Sequence, residues 1–333
     1  MNPPLVSVIM SVYNAEKFLN SAIESITNQT FTDFEFIIIE DCSTDKTLEI
    51  LREFKEKDNR IKIIQKEKNE GPKGFIKNLN LGLNMAQGKY VARMDADDIS
   101  LPERFQKQVL FLENNPEISM VGAQIDFINE KNEIIREKIG ALEHEEIVNK
   151  MTSQIQLFHP VIMCRNHQNI KYREKFIYCE DYDLYLNLIT QGKKLANINE
   201  KLLHYRILES SISRKGDNFV KKLMVEKALY FYKLRKENGQ DLYETFNNEE
   251  VLEINNFEFK NKIEELFFAL EAAIKLNNPV TINGGGSEKK EKIVLLVRKI
   301  KKHYPKEKIP FKYVLLSSVP LSFFRVLKKL FSW

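Results

Sequence analysis

The chain has 333 residues, 43% of them hydrophobic and 29% charged, the balance of a globular protein with one large or two modest apolar cores. No uninterrupted apolar run reaches the ~20 residues a bilayer crossing needs, which excludes a helical membrane-spanning protein. The net charge of +4 is uneven: residues 288–333 carry 13 Lys/Arg against 3 Asp/Glu, and the rest carries 38 against 44, so a mildly acidic body bears a basic tail and nucleic acid is not the expected partner of the body.

Val6–Val12 reads as a short buried strand that stops at Tyr13-Asn14. Residues 15–29 carry Phe18, Leu19, Ala22, Ile23 and Ile26 at helical spacing. A second strand, Phe34–Ile39, ends at Glu40-Asp41, and a helix is expected over 44–57 with Thr44 or Asp45 near its start. Ile61–Ile64 is a third strand. Gly71-Pro72 breaks the chain before a helix over 74–86 that Gly88 ends, and Tyr90–Met94 is a fourth strand running into Asp95. A helix follows Pro102 to about residue 114, with strands near 119–128 and 157–165 and a helix over 181–191. Residues 217–238, 258–277 and 289–303 read as amphipathic helices, and Gly284–Gly286 marks a flexible linker. Four strand–helix alternations predict an α/β fold: a Rossmann-like, mixed but mostly parallel sheet flanked by helices, with a C-terminal helical extension. The expected divisions are 1–215, a helical and Gly-rich stretch over 216–287, and a basic segment over 288–333.

In such sheets ligands bind at the carboxyl ends of the strands, so Asn14, Asp41 and Asp95 should meet in one crevice. Asp95 and Asp97 flank Ala96 and, at i and i+2 of an extended segment, can face one ion together. Oxygen ligands of this kind suit Mg²⁺ or Mn²⁺. The plainer reading of Asp95–Asp98 is a solvated acidic turn, with Asp98 as a helix cap. Asp41 can accept hydrogen bonds from a ribose or base edge, or merely organise a turn with Ser43. Lys77, near a helix start, can attract a diphosphate. Glu180-Asp181 is a second acidic pair; a carboxylate there can serve as general base or cap a helix.

Val6–Asn14, Ile39–Asp45, Asn69–Gly71, Gly88–Tyr90, Asp95–Asp98 and Glu180–Asp183 occur together and in order. Over roughly residues 4–215 the chain thereby resembles the inverting glycosyltransferases of family 2, with the GT-A fold, in the subgroup that builds bacterial polysaccharides and glycolipids. The resemblance implies a UDP-sugar donor and a saccharide or lipid-linked glycan acceptor. Val12, Tyr13 and Asn14 would line the nucleotide pocket, and Asp41 would contact uracil or ribose. Asp95-Ala96-Asp97 would form the metal-binding motif, with Asp97 the direct ligand. Asp181 would be the catalytic base, Glu180 beside it would contact donor or acceptor sugar, and His159 would lie near the donor sugar. The chain departs from the subgroup at Leu208, where a histidine that completes the metal shell often stands; His204 is the nearby substitute, and water the alternative.

Residues 311–333 alternate apolar stretches with Lys/Arg and end in Trp333, a composition suited to an anionic membrane interface, the alternative being packing on the catalytic domain or on a homodimer partner. Three cysteines, Cys42, Cys164 and Cys179, form neither a disulfide framework nor a metal spacing, and the N-terminus reads as no secretion signal. A cytoplasmic enzyme, peripheral on the inner face of a bacterial membrane, is the resulting expectation. A sugar nucleotidyltransferase would carry a Gly-rich loop after the first strand, where this chain has Tyr13-Asn-Ala-Glu16. A non-catalytic nucleotide-sugar or carbohydrate-binding module is the remaining alternative.

Overall fold

A computed structural model describes residues 3–166, 170–208, 218–249, 270 and 293–298. The chain divides into two compact units, residues 1–215 and 216–333.

Unit one opens with β1 (Val6–Val12), α1 (Leu19–Thr27), β2 (Phe34–Glu40), α2 (Thr47–Lys57), β3 (Ile61–Gln65), α3 (Gly71–Met85) and β4 (Tyr90–Met94). These strands pair in parallel in the order β3-β2-β1-β4. β2 and β4 are buried along their whole length and β1 at all but one residue, as expected of parallel strands covered on both faces. Leu19, Ala22, Ile23 and Ile26 give α1 a fully buried stripe. Met10 is level with Met94, and Val12 with Glu40. Asp41 and Asp95 each follow one residue later, so the carboxyl ends of β2, β1 and β4 form one rim.

The helix starts differ from the sequence expectation in both directions. α1 begins at Leu19 rather than residue 15 and α2 at Thr47 rather than 44, because the two preceding loops bond to each other. Asn14 Oδ1 accepts the Thr44 N–H (2.8 Å), Thr47 Oγ1 accepts the Ala15 N–H (2.8 Å), and Glu16 Oε2 accepts the Lys46 N–H (3.0 Å). These bonds hold residues 14–16 and 44–46 in the shape of the loop pairing, with Asn14 at a left-handed φ of 48°, and the helices begin beyond them. α3 instead starts early, at Gly71: Pro72 lacks an N–H that the first turn has no use for, and Asn69 Oδ1 accepts the Gly71 N–H at 2.7 Å.

Beyond β4 come β5 (Ile99–Ser100), α4 (Arg104–Asn114), β6 (Ile118–Ile128), β7 (Ile134–Lys138), α5 (His144–Met151), β8 (Met163–Arg165), α6 (Glu180–Thr190) and β9 (Lys194–Arg206). The strand expected over 157–165 is shortened to β8. Pro160 cannot donate to a ladder, and His159–Val161 forms a 3-10 turn instead. β6 pairs with β9 in parallel and with β8 and β7 antiparallel, so the sheet is mixed but parallel over most of its paired length. Its order, β3-β2-β1-β4-β8-β6-β9-β5, puts three strands between β4 and β5. On a flat sheet that separation is about 19 Å at ~4.8 Å per strand. The bridge Asp95–Asp98 turns rather than runs extended, so it cannot span that distance. The sheet therefore curls, and this acidic bridge crosses the mouth of the curl.

Gly88 shows how tightly the start of β4 approaches β1. A Cβ there would lie 2.7 Å from Ser7 N and 2.8 Å from the Val6 carbonyl carbon. Since backbone cannot rotate away, Gly88→Ala is expected to destabilise unit one by about 1–3 kcal/mol, read as a lower midpoint in urea or thermal unfolding.

In unit two, α7 (Asn218–Asn238) buries Val220, Leu223, Met224, Ala228 and Phe231 and ends at Gly239 (φ 76°), a left-handed position that glycine adopts without strain. Phe231 and Phe246 meet edge to face at 5.4 Å. Residues 293–298 are helical. The helix expected over 258–277, apart from Leu270, the linker at 284–286 and the basic segment 311–333 lie outside the described residues. Among the described residues no helix is long and apolar enough to cross a membrane.

Candidate active site

The rim carries two subsites. The first is built around Asp41, whose N–H bonds Val12 O at 2.9 Å. Its carboxylate is buried, with Oδ2 accepting from Asn69 Nδ2 (2.9 Å) and Oδ1 lacking any partner. Burial raises the Asp41 pKa. Cys42, at φ 61°, and Asn14, at φ 48°, hold left-handed backbone at the ends of β2 and β1. Strain of this kind gathers where loops must present groups to a ligand. Tyr13 stands half exposed beside them. Asn14 spends its side chain on the Thr44 backbone, as above. Lys77 lies on this side too, where Glu70 holds its Nζ at 2.8 and 3.0 Å.

The second subsite is the bridge itself. Asp95, Asp97 and Asp98 each offer one carboxylate oxygen, all within 4.8 Å of one another. Asp98 is not a solvated turn residue or a helix cap. It is 1% exposed, its Oδ1 accepts the Arg206 N–H at 2.7 Å, and its Oδ2 is buried without a partner. Burial, then the neighbouring Asp95, pushes the Asp97 pKa up to about 7, and burial, then Asp97 and Asp95, raise the Asp98 pKa well above its ordinary value. Three crowded carboxylates, one with an orphaned oxygen, form an all-oxygen donor set that fits a hard divalent cation such as Mg²⁺ or Mn²⁺.

α6 brings the acidic pair to this bridge. Tyr178, at φ 68°, turns the chain into the helix, and Glu180 and Asp181 occupy its first turn. Both carboxylates feel the charges of Asp95 and Arg93. Burial, then Asp181, pushes Glu180 up to about 8, whereas Asp181 is raised by burial against a hydrogen bond from the Tyr182 N–H (2.7 Å). His159 is 8% exposed, with its Nε2 2.7 Å from the Tyr172 hydroxyl; burial and then Arg93 hold its pKa well below the usual value, so the ring is neutral.

His204 does not join the acidic cluster. It pairs across the sheet with Ile99 and Asp126, and Leu208 is buried. Arg206 takes up that side instead, with Nε donating to Asp97 O at 2.8 Å and its guanidinium stacked 4.4 Å from the Phe18 ring centroid. Sequence reasoning missed Arg206, Tyr172, Arg93 and the inclusion of Asp98. Asp98 was visible as the last acid of the Asp95–Asp98 run, and Arg93 as a charge in an otherwise apolar strand two residues before Asp95.

A curled α/β sheet with acidic groups at its carboxyl rim is the GT-A type of nucleotide-sugar enzyme fold. The family model "Glycosyl transferase family 2" matches residues 7–179, and the chain belongs to that family of glycosyltransferases. It is 38% identical over 240 residues to an uncharacterized glycosyltransferase of Methanocaldococcus jannaschii, covering 71% of this chain and 80% of the relative. It is 36% identical over 220 residues to the O-antigen biosynthesis glycosyltransferase WbnJ of Escherichia coli, covering 63% and 82%. The fold matches S. aureus TarS 1–349 in complex with UDP-GlcNAc, with a TM-score of 0.61, 19% identity, and 99% and 91% coverage.

Proposed function

We propose that the chain is an inverting glycosyltransferase that moves a sugar from a UDP-sugar to a hydroxyl of a saccharide or lipid-linked saccharide in surface polysaccharide or glycan biosynthesis. The observation that carries this reading is Asp181, a partly buried carboxylate on the first turn of α6 that faces the charges of Arg93 and Asp95.

Asp41, with its unpartnered buried Oδ1, would accept a hydrogen bond from the uracil or ribose, and Val12, Tyr13 and Asn14 would shape the pocket around it. Lys77 would have to leave Glu70 to reach a diphosphate. Asp97, with Asp95 and Asp98 beside it, would hold Mn²⁺ or Mg²⁺. When bound, the cation supplies charge neutralisation for the departing nucleoside diphosphate. Asp181 takes the proton from the acceptor hydroxyl as the oxygen attacks the anomeric carbon from the face opposite the leaving group. Glu180, holding its own proton at neutral pH, donates to a sugar oxygen and leaves Asp181 as the base. His159, neutral and fixed by Tyr172, lines the donor-sugar side. One displacement inverts the anomeric centre, so a UDP-α-sugar yields a β-linkage. WbnJ's role in O-antigen biosynthesis supports the polysaccharide setting, and the UDP-GlcNAc bound by TarS supports a UDP-sugar donor.

The test is release of UDP from a panel of UDP-sugars, with and without Mn²⁺. The expected result is Mn²⁺-dependent release that Asp181→Ala abolishes. Tight UDP-sugar binding with no turnover on any donor, with or without saccharide acceptors, would favour the binding-module alternative.

A further inference from the structure

β4 is apolar except at Arg93, which lies two residues before Asp95 and so shares its side of the strand. The Arg93 side chain is 6% exposed, and its Nη2 forms an ion pair with Asp95 Oδ1. Nε and Nη1 are buried and bond to nothing. Next to the guanidinium is a cavity walled by Ile9, Leu79, Val91, Ile162 and Leu184, with Tyr172 as its polar side chain.

A buried donor without a partner costs about 1–3 kcal/mol, and a buried guanidinium has also given up its water. An arginine kept for stability is tied down more fully. Arg206 is such a case: its Nε and Nη1 each reach a carbonyl oxygen, those of Asp97 and Asn129, at 2.8 Å. Apart from the Phe75 ring, whose centroid is 5.7 Å from its guanidinium carbon, the Arg93 side chain is held by Asp95 and leaves two donors unused. Its presence in an apolar strand therefore points to what it does for Asp95.

That contact divides the three bridge carboxylates. Asp95 has its charge compensated by a guanidinium in contact, whereas Asp98 keeps a buried oxygen without any partner. A divalent cation is drawn to the charge not already balanced. We propose that Arg93 is a positioning residue for the donor: it holds Asp95 back from the metal and aims it at the nucleotide, leaving Asp97 and Asp98 to the ion. This rests on the nucleotide-sugar reading above.

Full-length Arg93→Met, close in length but uncharged, and Arg93→Lys, which keeps the charge without the fork, test the assignment. Three quantities are read: binding of Mn²⁺ alone, binding of UDP at saturating Mn²⁺ by calorimetry, and thermal stability. Removing a positive charge beside carboxylates cannot weaken a cation by electrostatics. Arg93→Met is therefore expected to bind Mn²⁺ alone at least as tightly as the parent, to bind UDP about 10–100-fold more weakly, and, with saturating Mn²⁺ replacing the lost positive charge, to melt no lower than the parent under the same conditions. Arg93→Lys should recover part of the UDP affinity, and with either variant KM for the donor should rise more than kcat falls. UDP affinity within twofold of the parent overturns the assignment, as does Mn²⁺ affinity falling in step with UDP. A fall in melting temperature in both variants at saturating Mn²⁺, where the cation balances the carboxylates, also overturns it, since that marks a structural role. A parent that binds no UDP with Mn²⁺ instead overturns the nucleotide-sugar reading, and this assignment with it.

Discussion

Asp181→Asn is expected to slow sugar transfer by about 10²–10⁴-fold, the range of a lost general base, while UDP binding in Mn²⁺ stays near the parent level. The substitution is chosen because asparagine has the size of aspartate and a side-chain oxygen for the Tyr182 N–H that Asp181 accepts at 2.7 Å. The helix start is kept and only proton acceptance is removed. The same carboxylate sets the pH dependence. Burial raises its pKa, and a base works only when ionised, so kcat/KM should fall as pH drops through a value above the ordinary aspartate range. The acid limb of the parent's profile, measured at saturating metal, reads that value directly. If Asp181→Asn transfers within a few-fold of the parent and keeps the same acid limb, the base is another group and the mechanism above is wrong.

The second large effect belongs to Asp97. Asp97→Asn should lose about 3 kcal/mol of transition-state stabilisation, or roughly 10²-fold in kcat/KM, with Mn²⁺ no longer stimulating the remainder. It should also change stability in the absence of metal, with a sign that can be worked out. The folded pKa of Asp97 is about 7, above its ordinary 3.8. The folded state therefore binds more protons than the unfolded chain between those values, and stability falls as pH rises across that window. The metal-free parent should melt higher at pH 5 than at pH 8. Asp97→Asn, with nothing to titrate there, should show a shallower slope. Mn²⁺ should raise the melting point of the parent at pH 8, because it binds the folded state, and should do little for the variant. An unchanged slope together with an unchanged Mn²⁺ response would remove Asp97 from the metal site.

Much of this molecule follows from local chemistry. The first four strands, the buried stripe of α1 and the placement of Asp41 and Asp95 beyond strand ends were legible because apolar periodicity repeats over short distances and parallel strands put their ends on one rim. The start of α6 at Glu180, one residue from its expected position, was legible from the same periodicity. The starts of α1 and α2 were not, because Asn14, Glu16 and Thr47 bond across some thirty residues of chain, and such bonds leave no periodic trace. The shortening of β8 could have been read from Pro160 alone.

At the site, the acidic residues are explicit in the chain, since a run such as Asp95-Ala-Asp-Asp98 is a chemical statement wherever it lies. The chain also held the one clue to Arg93, a charge at i−2 from Asp95 in an apolar strand. How those charges are shared depends on contacts between elements far apart in the chain. The curl of the sheet brings β9 to the bridge, so Arg206, more than a hundred residues away, binds the backbone of Asp97 and orients Asp98, while His204 faces Asp126 instead. His204 and Arg206, two residues apart, share a face of β9, so what separates them is their place along the strand: the registry of β9 sets which of the two lies level with the bridge. That registry is set by pairing with β6 and β5, which no motif in the chain encodes.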